Sequence, residues 1–308
     1  MSCGGRENLF QLLKNSLYVF LGACCFGILS TVVKLAYREG FVFQEVMMSQ
    51  FGTGWFILLV LMLIFGRQKI TGKQFIRLAG VGVCTCLTGV TYYLALQSIP
   101  ASIAVVLLFQ FTWIGVIIEA IVKRQRPDKS TVISVIILFI GTIMAGGILG
   151  TGEIQLNLKG TLLGLGAALM MALFVFFSGR VETQMSPITR SFYTSTGGLI
   201  LLTILFTPKV YTEVSLFDNG LWLYGFILGV FGVVLPVLLF ALGAPKISTG
   251  LATILGAGEL PVAVTASVLL LSEQVHAIQW FGVLIILLGI AYPQLVARKR
   301  VGASVVQS

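Results

Sequence analysis

Charge is what this sequence has least of: Asp, Glu, Lys and Arg together make up 10% of its 308 residues, well under half the share of an average soluble domain. So few charged groups cannot clothe a water-exposed surface, which excludes an ordinary soluble fold. Histidine is scarcer still, with His276 alone, and one histidine excludes a multi-histidine metal site. The five cysteines (Cys3, Cys24, Cys25, Cys84 and Cys86) offer no disulfide or zinc framework. Four of them lie inside apolar runs, where a small polarizable side chain packs as core. HExxH, GxSxG, CxxC and the Walker A pattern are all absent. The glycine-rich stretches sit within apolar helical runs with no strand before them, so they are not phosphate loops. No enzyme, no cofactor and no metal is expected.

What the chain has in abundance is apolar residues, 57% of the total, with a mean hydropathy of +1.01. They fall into ten runs, at about 15–36, 44–65, 77–97, 102–122, 130–149, 160–179, 188–206, 221–242, 248–271 and 277–296. Each is about the length a helix needs to cross a bilayer. The expected fold class is therefore an all-α integral membrane protein with ten transmembrane helices. Residues Asn8 to Gln11 precede the first run without a small-residue cleavage site, so that run reads as a retained helix. The net charge of +9 does not imply a nucleic-acid partner, because the basic residues form short clusters between apolar runs. Sixteen of the 20 Lys and Arg fall on one side if both termini are inside, leaving Lys34, Arg38, Lys159 and Lys209 outside. By the positive-inside rule both termini are cytoplasmic, in a multi-pass protein of the cell (plasma or inner) membrane.

The chain also repeats itself. Leu158-Lys159-Gly160-Thr161-Leu162 echoes Leu13-Lys14-Asn15-Ser16-Leu17, and Val283 to Gly289 (VLIILLG) echoes Val135 to Gly141 (VIILFIG). Five spans per copy is an odd number, so the second copy enters the membrane upside down. Inverted repeats are a common construction of secondary transporters, with the site at the repeat interface near the midplane. The expected division is a first five-helix repeat over 1–150 and a second, inverted one over 151–308 with a short cytoplasmic tail.

The ninth run carries the best candidate site. Glu259 and Pro261 stand at its middle, preceded by Gly256 and Gly258. A carboxylate at that depth costs about 2.5–3.5 kcal/mol on insertion scales unless it faces protein or water. The proline and glycines weaken the helix at the same depth, which a membrane tolerates where irregular backbone lines a cavity. Glu259 reads as a pathway residue, either a candidate for proton coupling or a binder of a cationic solute, against a structural pair. Lys34 is assigned to the same pathway, with snorkelling to the interface as its alternative. Gln110 and Trp113 share one face of the fourth run; they line a substrate cavity or make hydrogen bonds for packing. Glu119 fits an i,i+4 pair with Lys123, and Glu45 fits the favoured charge at a helix N-terminus.

With Val33-Lys34-Leu35-Ala36, the Gly-Glu-Leu-Pro at 258–261, and Ser272-Glu273 followed by Gln279-Trp280-Phe281-Gly282, the chain resembles the drug/metabolite transporter superfamily, in its EamA-type bacterial members with ten helices. It departs from them where the first copy carries Arg124 to Arg126 in the place of Glu273, so the two halves are not expected to act equivalently. The resemblance implies a secondary active transporter that exports a small polar metabolite, such as an amino-acid-like solute or a drug, by alternating access. An uptake carrier for a sugar or nucleoside-like solute is the alternative, and a channel a more distant one. The expected partners are a small-molecule substrate, the lipid bilayer and a coupling proton, with monomer or homodimer left open.

Overall fold

The computed structural model describes residues 3–65, 68–96, 98–99, 101–145, 157–206, 220–272 and 276–306. Several expected features lie outside them: Arg67, the segment 150–156, Lys209, Glu273 to Val275 and Ser308. Among the described residues every regular element is helical, as lipid demands, since only closed hydrogen-bonding within the segment satisfies its backbone there. The helices are α1 (Cys3–Arg38), α2 (Phe43–Phe65), α3 (Gly72–Leu96), α4 (Ala101–Leu108), α5 (Phe111–Lys123), α6 (Lys129–Ala145) and α7 (Leu158–Ser178). They continue with α8 (Pro187–Leu205), α9 (Leu221–Gly229), α10 (Leu235–Gly243), α11 (Thr249–Gly256), α12 (Glu259–Leu271) and α13 (Ala277–Val306).

These thirteen pieces make ten crossings, because α4 with α5, α9 with α10, and α11 with α12 are each one span in two parts. Among the described residues seven spans are long and apolar enough to cross a membrane, the three divided ones included. The fifth and tenth have shorter apolar stretches, Lys129–Ala145 and Ala277–Pro293. The seventh, α8, is the polar exception, and its packing explains why. Thr189, Arg190, Ser191, Thr194 and Ser195 are all buried against protein, so lipid never meets them. Facing outward instead are residues such as Phe56, Ile121, Leu269 and Leu288, an apolar exterior that water would not tolerate over so wide an area.

The extensive packing joins the two halves of the chain. Span three lies against spans six and seven, and span eight against spans one and two. Span four lies against span six, and span nine against span one; two meets seven, four meets nine, and five meets ten. The pattern is unchanged when each span is exchanged for the one five places away. A five-span half therefore has no complete core of its own. Phe174 of span six packs on Phe240 of span eight at 5.3 Å between ring centroids, both fully buried.

Backbones approach most closely where span three meets span seven. A Cβ at Gly82 would run into the Thr194 carbonyl, and one at Gly197 into the Ala79 backbone. Overpacking a well-filled interface costs about 1–3 kcal/mol, and here the obstacle is backbone. Gly82→Leu is expected to abolish monodisperse folded protein on size-exclusion chromatography in detergent. Gly80→Leu, two residues away with nothing within 4 Å of its Cβ, should elute as the wild type does.

Candidate functional site

Span nine breaks near the expected depth, at Ala257 and Gly258 between α11 and α12. Span four was expected to run unbroken over 102–122; it too breaks, at Phe109 and Gln110 between α4 and α5. The two breaks are built alike. In span nine Gly258 N donates to Leu255 O at 3.0 Å and Leu260 N to Ala257 O at 3.2 Å, both three residues back. In span four Gln110 N donates to Leu107 O and Thr112 N to Phe109 O, each at 3.2 Å. Every one of these positions is 148 residues from its counterpart. So are Arg124 and Ser272, which end α5 and α12 in left-handed conformation at φ 52° and 53°. Pro261 is the third residue of α12, where a helical N–H would be unpaired in any case; its missing N–H makes the break in span nine inexpensive.

Spans four and nine touch on one side of their breaks and part on the other. α5 packs on α11, with Gly115 against Thr253 and Gly256 against Phe111. At that end Glu119 accepts Thr249 N at 3.2 Å, is bonded by Gly250 N, and pairs with Lys123 at 2.6 Å. The i,i+4 pair with Lys123 was legible in the sequence; the capping of another span's helix by the same carboxylate was not. Arg180 donates to Thr249 Oγ1 at 2.8 Å while its guanidinium lies over the Phe176 ring. Arg190, buried, donates to Ala241 O at 2.9 Å and Ser178 O at 2.6 Å, joining the ends of α10 and α7. Arg77 pairs with Glu182 at 3.2 Å. This is the basic end of the bundle, and it is sealed.

Toward the opposite end α4 and α12 separate around a cavity of about 370 Å³, within the range of small-molecule pockets. Leu108 and Phe109 line it from span four, and Glu259, Ala263 and Ser267 from span nine. Span one contributes Phe26, Ser30 and, at the mouth, the exposed Lys34 and Tyr37. Spans two and three add Gln50, Phe51, Thr85, Thr88, Tyr92 and Tyr93. Glu259 is the first residue of α12, where the helix N-terminus favours negative charge. Among the described residues no side chain bonds or pairs with its carboxyl.

Of the expected site residues, the structure brings Glu259 and Lys34 to this one cavity. Pro261 stands beside it in the first turn of α12 rather than in its wall. Gln110 and Trp113 lie outside the lining: Trp113 is 39% exposed on the outer surface, and its Nε1 donates to Gln110 Oε1 at 2.6 Å. Gln110 Nε2 in turn donates to Val106 O at 2.7 Å, the carbonyl that the break deprives of its helical partner. The pair patches the break. Gln110→Leu is expected to lower thermal stability by about 1–3 kcal/mol through an unsatisfied carbonyl and to leave solute binding unchanged, as paired melting and titration experiments would read.

Sequence reasoning missed Gln50, although a lone amide in the middle of an apolar span is itself a signal. It gave no sign of Tyr92 and Tyr93, which resemble any membrane aromatic. Glu45 sits as expected, accepting Val42 N at 2.9 Å at the start of α2.

A model of the EamA-like transporter family matches residues 13–147 and matches again over 158–292. A crystal structure of another protein superposes with a TM-score of 0.74 at 17% identity, covering 92% of this chain and 99% of that one. At that identity the likeness is one of fold. No curated protein sequence matches the chain.

Proposed function

Because the chain belongs to the EamA-like transporter family, we propose that it is a secondary active carrier, exporting a small polar metabolite by alternating access across the cell membrane. The repeats 1–150 and 151–308 are the units whose rearrangement moves the solute, and both termini face the cytoplasm with the basic end. The observation that carries this reading is the pair of matched breaks in spans four and nine. On one side of the breaks α5 is closed on α11; on the other α4 and α12 stand apart around the cavity. Exchanging the two arrangements would close the mouth at Lys34 and open the basic end, with Glu259 at the point both states share. Glu259 is then the site of proton coupling, since a carboxyl that takes up a proton in one state and releases it in the other links the two gradients. A channel would need a polar path through both ends, and the sealed basic end supports the carrier instead.

Proteoliposomes decide the matter. Saturable flux with counterflow, in which unlabelled solute on one side drives labelled solute uphill, is the expected result. Flux linear in concentration without counterflow would favour the channel. Reporter fusions at the C-terminus are expected to mark it as cytoplasmic, and an external C-terminus would overturn the assigned orientation.

A further inference from the structure

The cavity wall is rich in hydrogen-bond acceptors, which deepens the carrier reading and rests on it. Ser30 donates to Gly27 O at 3.4 Å, Thr85 to Gly82 O at 2.9 Å and Thr88 to Cys84 O at 2.9 Å. Ser267 donates to Val264 O at 3.0 Å. A hydroxyl whose hydrogen is engaged in this way offers a ligand only lone pairs. An ionised Glu259 adds a group that solely accepts.

Gln50 sharpens the pattern. It is 5% exposed, and its Oε1 is buried with no hydrogen-bond partner. The amide lies against Gly232, in the π-helical turn Val230–Val234 that joins α9 to α10. Any Cβ at Gly232 would collide with the Gln50 amide, so the turn and the glycine make room for it. Single π-turns within α-helices are frequent at functional sites. A buried carbonyl oxygen without a donor is unfavourable, and a solute N–H reaching it after a turn of the amide plane would relieve that. The donors of the wall are the amide N–H groups of Gln50 and Gln279, the phenols of Tyr37, Tyr92 and Tyr93, which also accept, and Lys34, which stands at the mouth.

We propose that the solute is a protonated primary or secondary amine on an apolar body, its N–H groups shared between the Glu259 carboxylate and the Gln50 amide oxygen. Phe26, Phe51 and Phe109 supply the apolar walls. A quaternary ammonium keeps the attraction of aromatic faces but has no N–H to give. An anion meets Glu259 with charge of the same sign.

The test is calorimetric titration of the purified full-length protein in detergent with phenethylammonium, its N,N,N-trimethyl analogue and 3-phenylpropionate. Phenethylammonium is expected to bind about tenfold tighter than the trimethyl analogue, the effect of one hydrogen bond to a charged donor, and phenylpropionate not to bind. Gln50→Met is expected to narrow that preference without abolishing it, since the N–H bond to Glu259 remains. Equal affinity for the two cations, failure of phenethylammonium to bind, or tighter phenylpropionate would each overturn the proposal on the unaltered protein, whether or not the variant folds. Counterflow separates this from the carrier reading. Tight amine binding without saturable counterflow overturns the carrier and leaves the amine site standing. Saturable counterflow of phenylpropionate alone does the reverse.

Discussion

Glu259→Gln is expected to insert and fold as the wild type does, and to lose pH-driven transport. The replacement keeps the size and hydrogen-bonding capacity of the side chain and removes its ability to titrate. Losing the favourable charge at the start of α12 costs about 0.3–1 kcal/mol, too little to unfold the protein. The effect on function is far larger. A proton gradient imposed across proteoliposomes should drive accumulation by the wild type and none by the variant, because nothing at the breaks then carries the proton. A cationic solute should also bind more weakly, by roughly tenfold to a hundredfold, for a lost charge-assisted hydrogen bond of about 1.5–3 kcal/mol. Glu259→Asp, which still titrates, should retain partial transport. Wild-type rate and pH dependence in Glu259→Gln would reduce this carboxyl to a structural role.

A second large effect is expected at the sealed end. Glu119→Ala removes the side-chain acceptor from two backbone N–H groups at the start of α11 and leaves Lys123 without its 2.6 Å partner. The Glu119 side chain is only 13% exposed, so solvent replaces its bonds to the two backbone N–H groups poorly, and each, made to a charged group, is worth about 1.5–3 kcal/mol; the pair with the half-exposed Lys123 adds little. The counterpart of Glu119 across the repeat, 148 residues on, is Ser267, a hydroxyl engaged with its own helix at Val264 O. The two ends are therefore unequally fastened, and in the alternating-access reading proposed above Glu119 holds the state open opposite the basic end. Removing it is expected to raise the population open at the basic end by at least about tenfold. The readout is the labelling of Thr253→Cys, fully buried at present, by an impermeant maleimide added at that end after the native cysteines are replaced. Glu119→Gln, with one acceptor oxygen left, should fall between. Unchanged labelling in Glu119→Ala would make the carboxylate a staple of the fold and no gate.

The spans were legible because the bilayer leaves so few ways to satisfy a backbone, and an apolar run of the right length has only one. The break in span nine was legible too, since Gly256, Gly258 and Pro261 are residues that weaken a helix. The break in span four was not. Phe109 and Gln110 carry no such signal, and the local sequence gives no reason for the chain to tighten there. The bend is a tertiary feature, matched to span nine and patched by a side-chain amide whose purpose appears only once the Val106 carbonyl is seen without its helical partner. For the same reason Gln110 and Trp113 looked like cavity residues: an amide and an indole on one face fit either role until the direction of that face is known. Lys34 and Glu259, by contrast, were readable as intramembrane charges, and the depth of each set where in the cavity it stands.

The way the spans interleave has a consequence for synthesis. Helices α1 to α6 leave the ribosome first, yet the faces they must bury belong to spans six to ten. At roughly 5–20 residues per second, the first half waits on the order of ten to thirty seconds with its contact surfaces unmatched. During that interval the close-packing groove of α3 at Gly82, the amide of Gln50 and the carboxylate of Glu119 all lie open to lipid, to water or to whatever machinery attends insertion. Maturation of this protein is thus a late, single event triggered by arrival of the second half. A ribosome stalled after span five should yield a membrane-inserted chain that proteases cut freely, and release of the remaining five spans should convert it to a resistant form in one step.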